Sequence, residues 1–288
     1  MTAHVAEARE NSGRVLIWLE PAERCSSPSF AAAARLASAF GAFVETVVVG
    51  DYELPPSNDV PLARVATEAI GRAGENGDIG DHTNIYPLAT RRQQRMAAEA
   101  ATRTGVTARH SHATGDPIDR LDDMCRQYGP WNIVVIARAR GAGMGQTVST
   151  ILANVNGATG VLAAGQNAGT ASDDIVVVVE DSERLPSFLR AAERLRRGKG
   201  CIRLLLLSDT RAALAGLEDA ARLAVAGHSD VVFAPPVVSF GAEGAMSDGL
   251  CRQKAACVLA RFGGSAVSSG REFERLIALA KSPFLLVR

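Results

Sequence analysis

The sequence predicts an α/β fold in two tandem units. Each is a five-stranded parallel sheet with helices on both faces, an α/β/α domain, and the two are related by a pseudo-twofold axis. Three observations predict it. Strand-length apolar runs such as Ile133–Ile136, Ile175–Val179 and Ile202–Leu207 are continuous rather than alternating, as for strands covered on both faces. Helix-length stretches separate them, which is the order of a parallel sheet. The alternation restarts after Gln166–Ser172, a small polar stretch that reads as a linker. Such a restart points to internal duplication, with units at 12–166 and 173–288.

In the first unit, Val15–Leu19 is a strand, and alanine-rich Ser29–Phe40 is a helix with Ser29 as its cap. Phe43–Val49 is the second strand. Asp51–Asn84 carries Pro55-Pro56, Asn76-Gly77 and Gly80-Asp81, so it reads as a long irregular insertion with a short helix around Leu62–Arg72. Leu88–Arg103 is a helix ended by Gly105, and Val106–His112 is a strand. Gly115-Asp116-Pro117 is a turn with an acidic cap and a proline suited to the first helical position, opening a helix over Ile118–Tyr128. Asn132–Ala137 is a strand. A glycine-rich loop follows, then a helix from about Val148 and a closing strand at Val161–Ala164.

In the second unit, Ile175–Val179 is a strand with the acidic end Glu180-Asp181, and Pro186–Arg197 is a helix. Ile202–Leu207 is a strand and Arg211–Val225 a helix. Val231–Val238 is a strand broken by Pro235-Pro236, which places its end at a sheet edge. Asp248–Phe262 reads as a helix, Ser265–Ser268 as a short strand, Arg271–Ala280 as a helix and Phe284–Val287 as the last strand.

Thirty-one basic residues balance thirty-one acidic ones. That argues against nucleic-acid binding through phosphate neutralisation. The basic clusters Arg91–Arg95 and Arg194–Arg197 sit beside acidic residues on helices and read as solvated faces. The polar N-terminus has no signal-peptide core, and no apolar run reaches the roughly 18 residues of a membrane span. Five scattered cysteines without a C-x-x-C pair suit a reducing cytoplasm. Cytoplasmic location, no membrane and no nucleic acid are therefore the expectations.

The richest stretch is Thr114–Ser149. Gly141, Gly143 and Gly145 follow the Ile133–Ile136 strand directly. Glycines between a strand end and a helix start let the backbone approach a phosphate, and the helix N-terminus supplies free N–H groups. Arg138 and Arg140 would add charge, and Thr147 a hydroxyl. His110 and His112 share a strand face, but no third ligand is near in sequence, so no metal site is assigned. Asp116, Asp119, Asp122 and Asp123 read as helix capping and dipole complementation. There is no G-x-S-x-G, H-E-x-x-H or P-loop lysine motif, so no catalytic residue is assigned.

The run TGDPIDRLDDMCRQYGPWNIVVIARARG, the strand endings GVLAA and SPFLLVR, and the openings RVLIWLEP and DDIVVVVEDS resemble segments of universal stress proteins, in tandem, two-copy form. The resemblance implies the HUP-type fold, a regulatory binding role in stress response, and possession of an ATP site at the carboxyl ends of the strands. It implies nucleotide contacts from Glu20, Val48, Arg138, Arg140, Gly141, Gly143, Gly145, Gln146, Thr147 and Val148. The sequence departs from the family pattern. Arg138 stands where the first loop glycine belongs, no Gly-Ser follows nine residues after Gly141, and Glu20 replaces the expected aspartate. The ATP motif is thus degenerate, the ligand is a nucleotide or another small anion, and any ATP hydrolysis is slow. The alternative is a protein-interaction or structural module that binds no nucleotide. Edge strands and the resemblance also imply a homodimer.

Overall fold

The computed structural model describes residues 13–20, 27–49, 85–127, 129–137, 143–165, 168–169, 172–238, 249–264, 267 and 270–288. The sequence-predicted Leu62–Arg72 helix lies outside them. In chain order the elements are β1 (Arg14–Leu19), α1 (Ser27–Phe40), β2 (Phe43–Val49), α2 (Ile85–Arg103), β3 (Ala108–Ala113), α3 (Pro117–Gln127), β4 (Asn132–Ile136), α4 (Met144–Asn154) and β5 (Ala158–Ala163). The second unit continues with β6 (Ile175–Val179), α5 (Leu185–Leu195), β7 (Ile202–Ser208), α6 (Arg211–Ala224), β8 (Val231–Phe233), β9 (Val237–Val238), β10 (Cys257–Arg261), α7 (Gly270–Leu279) and β11 (Phe284–Val287).

The strand order is β3-β2-β1-β4-β5-β11-β10-β6-β7-β8, with β9 beside β7. Each unit therefore has the order third, second, first, fourth, fifth, and all pairs inside a unit are parallel. The repeated topology is the duplication that the sequence predicts. The two sheets are not separate layers, however. Their fifth strands pair antiparallel, Leu285 opposite Leu162 and Leu286 opposite Val161, so one sheet runs through both units. Each unit alone would leave an apolar edge strand open, and pairing the two removes both edges.

Consecutive strand residues point to opposite faces, and both faces are covered. Val15, Ile17, Ile133, Val135, Val177 and Leu259 pack under α1, α2, α5 and α6. Leu16, Val134, Ile136, Val176, Val258 and Leu286 pack under α3, α4 and α7. Both cores cross the seam between units, which is why the strands read as unbroken apolar runs. Two guanidiniums also cross it. Arg35 of α1 donates to the carbonyls of Leu195, Ser172 and Asp173. Arg288 donates to those of Leu152, Val155 and Asn156, capping the carboxyl end of α4.

Three sequence readings are corrected. The central strand of the second unit is Cys257–Arg261, not part of a helix; the predicted Ser265–Ser268 strand, Val267 apart, lies outside the described residues. The Ala-Ala-Cys-Val-Leu-Ala run is rich in small helix formers, and the slot between β6 and β11 overrides that propensity. The predicted 231–238 strand is two short strands, both on β7, split by the prolines. Helix α4 begins at Met144, four residues before the predicted start.

Candidate functional site

In an open parallel sheet, ligands sit beyond the carboxyl ends of the strands, where the strand order reverses. In the first unit that point lies between β1 and β4. Glu20 follows β1 directly and is half-buried; its backbone carbonyl accepts from Gln93 Nε2 at 3.5 Å. Val48 is fully buried in β2. Ser29 is not a cap but an internal α1 residue, whose hydroxyl donates to the carbonyl of Ile136 at the end of β4.

Arg138, Arg140 and Gly141 lie outside the described residues. The remainder of the predicted loop is the start of α4. Gly143 takes the N-cap position with φ of 93° and ψ of 3°, a left-handed conformation that glycine adopts without strain. Gly145 and Val148 are buried and Gln146 is exposed. The Thr147 hydroxyl turns back and donates to the Gly143 carbonyl at 3.0 Å. The N–H of Gly143 donates to Glu274 Oε1 of α7, at 3.0 Å. A carboxylate of the second unit thus stands at the amino end of α4, where the helix dipole and unpaired N–H groups favour an anion.

The second unit has the matching crevice. Asp181, just past β6, receives Arg261 Nη1 from the end of β10 at 3.3 Å and the Arg184 N–H at 3.0 Å. A Cβ on Gly264 would lie 1.8 Å from Glu180 Oε2, so the loop after β10 lies against that carboxylate. About 10 Å³ remains there, room for a water at most. Sequence reading missed Arg261 and Glu274. Arg261 was hidden by the helical reading of Cys257–Arg261. The signal available for it was the ARFGG run, which parallels ARARG after β4.

Elsewhere the candidate groups are structural. Asp116 Oδ1 accepts from the N–H groups of Ile118 and Asp119, the predicted cap of α3. His110 Nδ1 lies 2.6 Å from Thr46 Oγ1. Burial pushes the Cys125 thiol up to about 11 and the Cys257 thiol up to about 12, so both are poor nucleophiles. Among the described residues no cluster of His, Cys, Asp and Glu could hold a metal, and no helix is long and apolar enough to cross a membrane.

No family model and no curated protein matches the sequence. Solved structures do match. A universal stress protein from Archaeoglobus fulgidus DSM 4304 superposes with a TM-score of 0.57 at 13% identity, covering 96% of this chain and 98% of that one. A Pseudomonas aeruginosa UCBPP-PA14 protein provisionally described as a universal stress protein gives 0.52 at 11% identity, over 98% of this chain and 94% of that one. PA1789 of P. aeruginosa PAO1, of unknown function, gives 0.51 at 11% identity, covering 99% and 94%. At such identities the likeness is one of fold: the chain has the architecture of universal stress proteins along nearly its whole length.

Proposed function

We propose that this protein is a non-catalytic regulatory binding protein of the universal-stress-protein kind, acting in a stress response, whose nucleotide crevices are closed by its own side chains. The observation that carries the reading is Glu274 on the Gly143 N–H. An incoming phosphate would have to displace a carboxylate and overcome its charge. The Arg261–Asp181 pair fills the second crevice, leaving about 10 Å³.

A second reading is favoured by the left-handed Gly143 at the head of α4: ATP or another small anion binds at Arg138–Thr147 once Glu274 swings away. Thermal unfolding with and without millimolar Mg-ATP separates the two. A ligand that binds the native state raises Tm by mass action. The closed-crevice reading expects no rise for the wild type. A rise that grows in Glu274→Gln overturns it in favour of the second reading.

A further inference from the structure

The two faces of the seam are built differently. On one face, α4 and α7 pack against each other beneath β5 and β11, and Phe273, Leu276 and Ile151 fill the space between. On the other, the equivalent first helices α1 and α5 meet less closely, with Arg35 of α1 reaching the Leu195 carbonyl of α5, and leave a groove of about 450 Å³. Its floor is apolar, from Ile133, Leu259, Leu285 and Val287, and Phe40 and Phe188 rise along its sides. The groove follows α5 from Arg184 to Arg194, ten residues or about 15 Å of helix.

The charges on its walls have one sign. Arg184, Arg194 and Arg288 line the groove, and among the described residues no aspartate or glutamate does. Arg288 is engaged with the α4 carbonyls, and Arg184 also borders the Asp181 crevice. Arg194 lies over the Phe40 ring, 5.7 Å from its centroid, at the solvent end. An uncharged apolar occupant would waste these cations, and a polyanion would waste the floor. A volume of this size with an apolar lining and few polar groups is typical of a small-molecule site.

We propose that the groove between α1 and α5 binds an amphiphilic organic anion, a long-chain carboxylate, with its chain on the β5–β11 floor and its headgroup at Arg194. The site shares Arg184 and Phe188 with the Asp181 crevice, but its apolar floor residues lie on β4, β10 and β11 and its headgroup position at Arg194 lies at the opposite end of α5, so it stands whether or not the crevices take a nucleotide. Trp131 lines the groove, and its fluorescence reports occupancy.

The test titrates the full chain with laurate and with dodecanol, followed by tryptophan fluorescence and calorimetry. Laurate is expected to saturate, with dodecanol about tenfold weaker. Arg194→Glu should weaken laurate about tenfold and leave dodecanol unchanged. Ala191→Trp, which fills the groove from a half-buried position on α5, should abolish laurate binding; Ser187→Trp serves if that variant does not fold. Equal affinity for laurate and dodecanol, or full laurate binding by the filled variant, overturns the proposal. So does a chain that is dimeric by light scattering and made monomeric by the filled variant, because the occupant is then a second copy.

Discussion

Arg14 is fully buried at the start of β1, and every arm of its guanidinium is used. Nε donates to Asn132 Oδ1 at 3.0 Å, Nη1 pairs with Glu45 at 2.9 Å, and Nη2 donates to the Met124 carbonyl. The second unit fills the same corner with the charges exchanged. Arg203 on β7 pairs with Asp174 ahead of β6 at 2.9 Å and donates to the Lys254 carbonyl. Arg14→Met should cost about 3–5 kcal/mol in urea unfolding, because it leaves buried Asn132 and half-buried Glu45 without their cation. The Asp174 carboxyl is held below its ordinary range, chiefly by the Cys201 N–H and then by Arg203. Its folded value lies below its unfolded one, so its contribution is complete above about pH 4 and is lost as pH falls through the folded value. Asp174→Asn should flatten the acid limb of the stability curve by under about 1 kcal/mol, since the pair is a quarter to a third exposed. Neither corner was legible in the sequence. A buried arginine and a solvated one look alike until the strands on either side are placed.

Strands with β-branched runs were legible: β2 and β6 fall on the predicted bounds, because Val and Ile in series leave a buried strand as the economical reading. β10 was not, because Ala256, Cys257 and Ala260 carry no strand signal of their own. That miss also hid the loop facing Glu180, and with it half of the second crevice. At the seam, a Cβ on Gly160 of β5 would stand 2.5 Å from the Leu286 carbonyl oxygen of β11. Gly160→Ala should therefore destabilise by about 1–3 kcal/mol, since backbone cannot yield as a side chain does. Gly216 in α6 meets nothing within 4 Å, and Gly216→Ala should stabilise by about 0.5–1 kcal/mol. Thermal melts of the two variants side by side check both signs.

The duplication was legible from the restart of the pattern, but the joining of the two sheets was not. A sequence lists strands and says nothing of which edges meet. Because both hydrophobic cores and the arginines Arg35 and Arg288 span the junction, the chain should unfold in one calorimetric transition, with van't Hoff and calorimetric enthalpies equal. Residues 1–166 made alone should self-associate in size-exclusion chromatography, because β5 loses its antiparallel partner. Two resolved transitions, or a monomeric fragment, would show the junction to be weak. The spacing of that junction also bears on biosynthesis. The guanidinium that finishes α4 is encoded 136 positions after Leu152, so at ribosomal speeds the earlier portion waits roughly 7–27 s for its mate. For that interval a nascent polypeptide displays an open ribbon margin, which makes it a natural client for ribosome-associated chaperones.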